Sequence, residues 1–135
     1  NPSRGLGDVY KRQDSDLVSV LREFPDVNGV AHCFSSNLET AQKFLDQGYY
    51  ISFSGNLTFK NSHLPNVAKK IPLDRLLVET DCPYLSPDPY RGKTNEPSRV
   101  SLVAKKLAEI HSIPIERITE ITSNNATEIF QLSDL

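Results

Sequence analysis

Two carboxylates, one imidazole and a short basic loop are the side chains of this sequence whose types and spacing could do chemistry. Glu79 and Asp81 end the run Leu76-Leu77-Val78-Glu79-Thr80-Asp81-Cys82-Pro83. They stand two residues apart, so on a strand both project to the same side. Leu76 to Val78 read as a strand buried on both faces, as in a parallel sheet. Such a strand ends in acids when a ligand or a metal sits at its carboxyl end. The competing reading is an Asp that caps the turn before Pro83 and a Glu79 paired with a lysine or arginine. His32 closes another short apolar run, Val30-Ala31. A neutral imidazole and a carboxylate suit Mg²⁺, Mn²⁺ or Zn²⁺; His32 on its own reads as a satisfied core histidine, and its position opposite Asp81 turns the reading toward a ligand. Two protein ligands fall short of the three or more that catalytic metal sites commonly have. Arg91-Gly92-Lys93-Thr94-Asn95-Glu96 sets two cations around a glycine just ahead of Pro97. That arrangement suits an anion such as a phosphate, or else is a solvated loop.

These groups need a scaffold that brings strand ends together. Leu17, Val20, Leu21 and Phe24 are spaced as one face of a helix ended by Pro25. Residues 28–34 read as a strand. Ser35, Ser36 and Asn37 are N-cap candidates for a helix with Leu38, Ala41, Phe44 and Leu45 as its apolar stripe and Gly48 as its stop. Residues 49–55 form a second strand, with Ser54 and Asn56 at its end. A short helix near Leu64 to Ile71 leads through Pro72 to a third strand, 75–81. A loop with Pro83, Pro87 and Pro89 follows. Pro97 then opens a helix with Val100, Val103, Leu107 and Ile110 on one side, Pro114 opens another through Ile118 and Ile121, and 124–130 forms a last short one. Strands alternating with helices give βαβ crossovers and a parallel sheet, whose carboxyl ends lie together. His32 and Asp81 then share one end. Cys33 and Cys82 each follow a proposed ligand by one residue, so they are expected to point to the helix layer as small buried hydrophobes. His63 and His111 are read as surface residues, and Lys69, Lys70, Lys105 and Lys106 as solvated helix faces.

The 135 residues, 38% hydrophobic and 24% charged, suit one domain with a real core. No run approaches the ~18 apolar residues of a membrane span, and two cysteines make no disulfide framework, so a cytoplasmic setting is expected. A net charge of −2 does not advertise nucleic-acid binding, but a divalent metal can supply positive charge at a phosphate. The sequence contains no Met, and residues 1–13 lack helical or strand period. They are set aside as a non-native or disordered leader, and 14–135 reads either as a small open three-layer sheet or as part of something larger, because three parallel strands cannot close a barrel of ~250 residues.

Leu77-Val78-Glu79-Thr80-Asp81-Cys82-Pro83-Tyr84-Leu85, with Pro87, Arg91-Gly92-Lys93 and Asn95-Glu96-Pro97, strongly resembles the TatD family of metal-dependent deoxyribonucleases. Val30-Ala31-His32-Cys33-Phe34-Ser35, Tyr50-Ile51-Ser52-Phe53-Ser54-Gly55 and Asn124-Asn125-Ala126-Thr127-Glu128-Ile129-Phe130 resemble further strands and the C-terminal signature of that family, over roughly 14–132. The resemblance implies an α/β fold, the last three parallel strands of a TIM-type (β/α)8 barrel, and hydrolysis of DNA phosphodiester bonds with a divalent metal, Mg²⁺ first, then Mn²⁺ or Zn²⁺. It implies that His32 and Asp81 bind the metal, that Asp81 also orients or deprotonates the attacking water, and that Glu79 supports the site from behind. Arg91, Lys93, Asn95 and Glu96 match the loop beside the substrate, for phosphate contact or loop ordering. The family's His-x-His pair, its glutamate on the fourth strand and its histidine on the fifth have no counterpart here. The chain alone is therefore expected to be inactive, and its open strand edges to invite self-association. A hydrolase of esters or amides on the same scaffold, and a non-catalytic half-barrel acting as a binding module, are the competing readings.

Overall fold

The computed structural model describes residues 29–80 and 84–130. The helix expected over 17–24 lies outside the described residues, as do Asp81 and Cys82. Three strands, β1 (Val30–Ala31), β2 (Tyr50–Phe53) and β3 (Leu76–Val78), form one parallel sheet in the order β1-β2-β3. Val30 pairs with Tyr50, Ile51 with Leu76 and Phe53 with Val78. Among the described residues four α-helices accompany it: α1 (Leu38–Asp46), α2 (Leu64–Ala68), α3 (Val100–His111) and α4 (Ile115–Phe130).

Every residue of β2 is buried, as a central strand covered on both faces requires. Ile51, Phe53 and Leu76 face a core shared with Phe34, Phe44, Leu57, Leu64, Val103, Leu107 and Ile118. Phe34 and Phe53 meet edge to face with centroids 6.2 Å apart. The strands are shorter than the sequence suggests. Cys33 adopts the left-handed conformation (φ 49°), which ends β1 beside His32. The backbone then returns to the ladder, with Phe34 N–H donating to Ser52 O at 2.9 Å. At the third strand, Glu79 N–H donates to Phe53 O at 2.9 Å and carries the ladder one residue past Val78.

Helix α1 begins as its sequence dictates: the Asn37 side chain accepts from Thr40 N–H at 2.8 Å. It ends where Gly48 takes φ +81°. Pro97 opens a 3₁₀ turn, Pro97–Arg99, that runs directly into α3. The sequence suggests two helices after Pro114, yet α4 is continuous across Thr122-Ser123-Asn124-Asn125. These residues weaken helices by bonding to nearby backbone. Here Thr122 Oγ1 donates to Ile118 O within the helix at 2.9 Å. Asn125 Nδ2 instead reaches across to Leu73 O (2.9 Å) and Leu76 O (2.8 Å), which fastens α4 to the start of β3.

Two histidines expected on the surface have fixed partners. His111 is half-buried and its Nε2–H donates to Ala68 O at 2.9 Å, joining α3 to the end of α2. His63 is exposed but its Nε2–H donates to Ser36 O at 2.9 Å.

Candidate metal centre at the strand ends

His32 follows β1 and Glu79 follows β3, on either side of β2, and the parallel topology turns both toward the same end. His32 Nε2 lies 3.2 Å from Glu79 Oε1. The Glu79 side chain is 12% exposed and its Oε1 is buried, whereas the His32 side chain is 68% exposed. A nearly buried carboxylate thus meets an imidazole that opens to solvent. Such a pair suits a divalent ion in donor chemistry. Among the described residues no three His, Cys, Asp or Glu side chains converge as a complete metal site would demand. The described residues therefore fit part of a metal site. Asp81, the other expected ligand, lies outside them.

Ser52 and Leu77 lie on the sheet face opposite the core, one step along the strands from this pair. A cleft of about 590 Å³ opens over that face, walled by His32, Ser52, Leu77 and Glu79 on the sheet side and by Ala126, Ile129 and Phe130 of α4 across from them. At the amino end of the sheet, the buried Tyr50 phenol is raised above its ordinary pKa, first by burial and then by the charge of Glu128. The Arg75 guanidinium, 4.8 Å above the Tyr50 ring, opposes that shift.

Cys33 does not point into the helix layer as a buried hydrophobe. It lies beyond the end of β1, is half-buried, and its Sγ sits 3.2 Å from Ser54 Oγ. Ser54, fully buried, donates in turn to Asn56 Oδ1 at 3.2 Å. The sequence placed Ser54 and Asn56 at this end but not their link to Cys33. A left-handed residue just past the end of a strand defeats the alternation on which the outward placement rests.

The loop after β3 is a packed structure. Asn95 is buried, its Nδ2 donating to Tyr84 O and its Oδ1 accepting from Glu96 N–H, each at 2.9 Å. Ser86 Oγ donates to Lys93 O, and Asp88 N–H donates to Thr58 Oγ1 at 2.8 Å. The Asp88–Pro89 peptide is cis. Arg91 and Lys93 are exposed, with the Arg91 guanidinium 3.8 Å above the Phe59 ring. Glu96 is exposed and 3.8 Å from Arg99, which itself stacks on Tyr90 at 4.0 Å and donates to Thr94 O. The loop's two cations thus meet solvent, while Asn95 does not. Sequence reasoning missed Gly55, Thr58 and Ser86 in this assembly. Only the glycine directly after a strand carried a signal, that of close backbone approach.

No helix among the described residues is long and apolar enough to cross a membrane. A model of the TatD related DNase family matches residues 10–131, and so begins inside the segment 1–13 that the sequence set aside. The uncharacterized metal-dependent hydrolase YabD of Bacillus subtilis is 46% identical over 121 residues, covering 87% of this chain and 48% of its own length. YcfH of Escherichia coli K12, also named an uncharacterized metal-dependent hydrolase, is 46% identical over 87% of this chain and 46% of its own. Among solved structures, the TatD homolog YJJV of Escherichia coli K12 superposes with a TM-score of 0.81 at 31% identity, covering 87% of this chain and 46% of that one. A TatD family hydrolase of Entamoeba histolytica gives 0.77 at 27% identity, over 85% and 46%. The chain spans about half the length of the curated relatives it matches. With its parallel sheet, its acidic strand end and its Asn-Glu-Pro loop, this chain belongs to the TatD related DNase family.

Proposed function

We propose that this chain is part of a divalent-metal-dependent hydrolase that cleaves phosphodiester bonds in DNA, and that its three strands are the last three of a TIM-type barrel. The observation that carries this reading is the 3.2 Å contact of His32 with Glu79 at the carboxyl ends of parallel strands, in a chain of this family. His32 and Asp81 would hold the ion, and Glu79 keeps the imidazole against the strand end. A bound divalent ion, Mg²⁺ before Mn²⁺ or Zn²⁺, supplies Lewis acidity and an acidified water. Asp81 would orient the attacking water and accept its proton. Arg91 and Lys93, exposed on a fixed loop, meet the phosphates.

The chain contains three histidines, and two of them, His63 and His111, are engaged with backbone carbonyls. The 135 residues alone are thus short of nitrogen ligands and are expected to cleave DNA at or near background. The deciding experiment incubates plasmid DNA and Mg²⁺ or Mn²⁺ with this chain, and with a chimera completed from the Bacillus subtilis relative. The chimera should nick plasmid and lose that activity on Asp81→Asn, while Glu79→Gln should weaken its metal affinity about 10- to 100-fold. Robust cleavage by the 135-residue chain, abolished by Asp81→Asn, would overturn the assignment of the missing ligands. Turnover of simple esters without DNA cleavage would move the reading to another substrate.

A further inference from the structure

The structure assigns Asn95 as a positioning residue that sets Lys93, which with Arg91 makes the loop's pair of cations, and not as a contact to substrate. This rests on the reading that those cations meet nucleic-acid phosphates. Asn95 is 5% exposed and both ends of its amide are engaged within the protein, with Tyr84 O and Glu96 N–H at 2.9 Å. Nearly buried, with its oxygen and one N–H committed inside the protein, it lacks the access with which to reach a phosphate. What it does instead is close the loop by joining Tyr84, at its start, to Glu96, at its end. Within that closure the Lys93 backbone is held on both sides: its N–H donates to Tyr90 O at 3.0 Å and its carbonyl accepts from Ser86 Oγ. Arg91 is steered separately, by stacking on Phe59. Lys93 therefore stands at a fixed place on an exposed surface because a buried amide closes the loop that carries it, beside an Arg91 that Phe59 holds. A fixed cation neutralises a phosphate at a smaller entropic cost than a wandering one.

The test uses the full chain and its Asn95→Asp variant, which keeps the acceptor for Glu96 N–H and removes the donor to Tyr84 O. Hydrogen exchange at the amides of Asp88, Tyr90 and Lys93 should accelerate on the order of tenfold, because the Tyr84 carbonyl loses its partner and the loop its closure. Binding of a fluorescent single-stranded oligonucleotide, measured in EDTA so that neither metal nor cleavage contributes, should weaken roughly fivefold. The slope of log K against log salt should fall by about one, the signature of a lost phosphate contact. Ser86→Ala, which frees the Lys93 carbonyl from the other side, reads the same coupling if Asn95→Asp fails to fold. Weakened binding with an unchanged salt slope and unchanged loop exchange would make Asn95 a direct contact and overturn the inference. Faster loop exchange with unchanged binding and slope would overturn it as well, and leave the nucleic-acid reading standing. Absence of oligonucleotide binding by the unaltered chain would instead remove the nucleic-acid reading and the inference with it.

Discussion

Tyr50 shows how one side chain ties stability to pH. Burial, and the Glu128 carboxylate beside it, raise the phenol above its ordinary value near 10. The folded state thus holds the proton more tightly than the unfolded state does. That contribution is fully present below the ordinary tyrosine pKa and is lost as pH rises through the raised one. Urea denaturation between about pH 9 and 11.5 should show declining stability, and Tyr50→Phe should flatten the decline. An unchanged alkaline slope in the variant would remove Tyr50 as its source. At this scale the meeting of His32 and Glu79 at one end of the sheet was legible, because both end apolar runs that read as parallel strands. The partners of His63 and His111 were not. They are backbone carbonyls 27 and 43 positions away in the chain, and every residue has a carbonyl, so no side-chain pattern marks them.

Among the elements, the loop after β3 depends most on a single position. A Cβ added to Gly55 would collide with the Leu85 carbonyl oxygen and lie 2.9 Å from Pro87 N. Both obstacles are backbone, so the loop must move to admit even a methyl group. Gly55→Ala should destabilise by about 1–3 kcal/mol, read as a lowered midpoint in thermal unfolding, with faster exchange in the loop. A variant as stable as the parent would show that the loop can lift off at no cost. The boundaries of α1 were legible because Asn37 and Gly48 are strong local signals for a helix start and stop. The continuity of α4 was not. Thr122, Asn124 and Asn125 look like a break until a bond back along the helix occupies Thr122 and tertiary bonds occupy Asn125. The loop's order was likewise hidden, since its prolines and charges read as solvated chain, while its bonds run to Thr58 and within itself.

For the molecule as a whole, the sheet is the decisive feature. Among the described residues β1 and β3 each pair on one side only, both with β2. An open edge offers backbone donors and acceptors to another chain, and the cleft over Ser52 and Leu77 adds partly apolar walls beside those edges. We expect the isolated chain to self-associate, with sedimentation velocity showing species that grow with concentration. A monodisperse monomer that unfolds in one sharp transition would contradict this. The parallel order was legible from the alternation of strands and helices. The way the end of α4 walls the cleft was not, because Ala126, Ile129 and Phe130 carry the same apolar pattern whichever surface they face.

The amide of Asn125 has a consequence for chemical ageing. Asparagine deamidates when the next residue's backbone nitrogen attacks the side-chain carbonyl carbon and closes a five-membered ring. Here the amide is held by two carbonyls, Leu73 O and Leu76 O, inside a helix whose backbone cannot rotate to make that attack. The same two bonds make the product intolerable, since an aspartate would set its oxygens against both carbonyls. The contact that fastens α4 to β3 is therefore also what protects this asparagine from becoming the residue the fold could least accept.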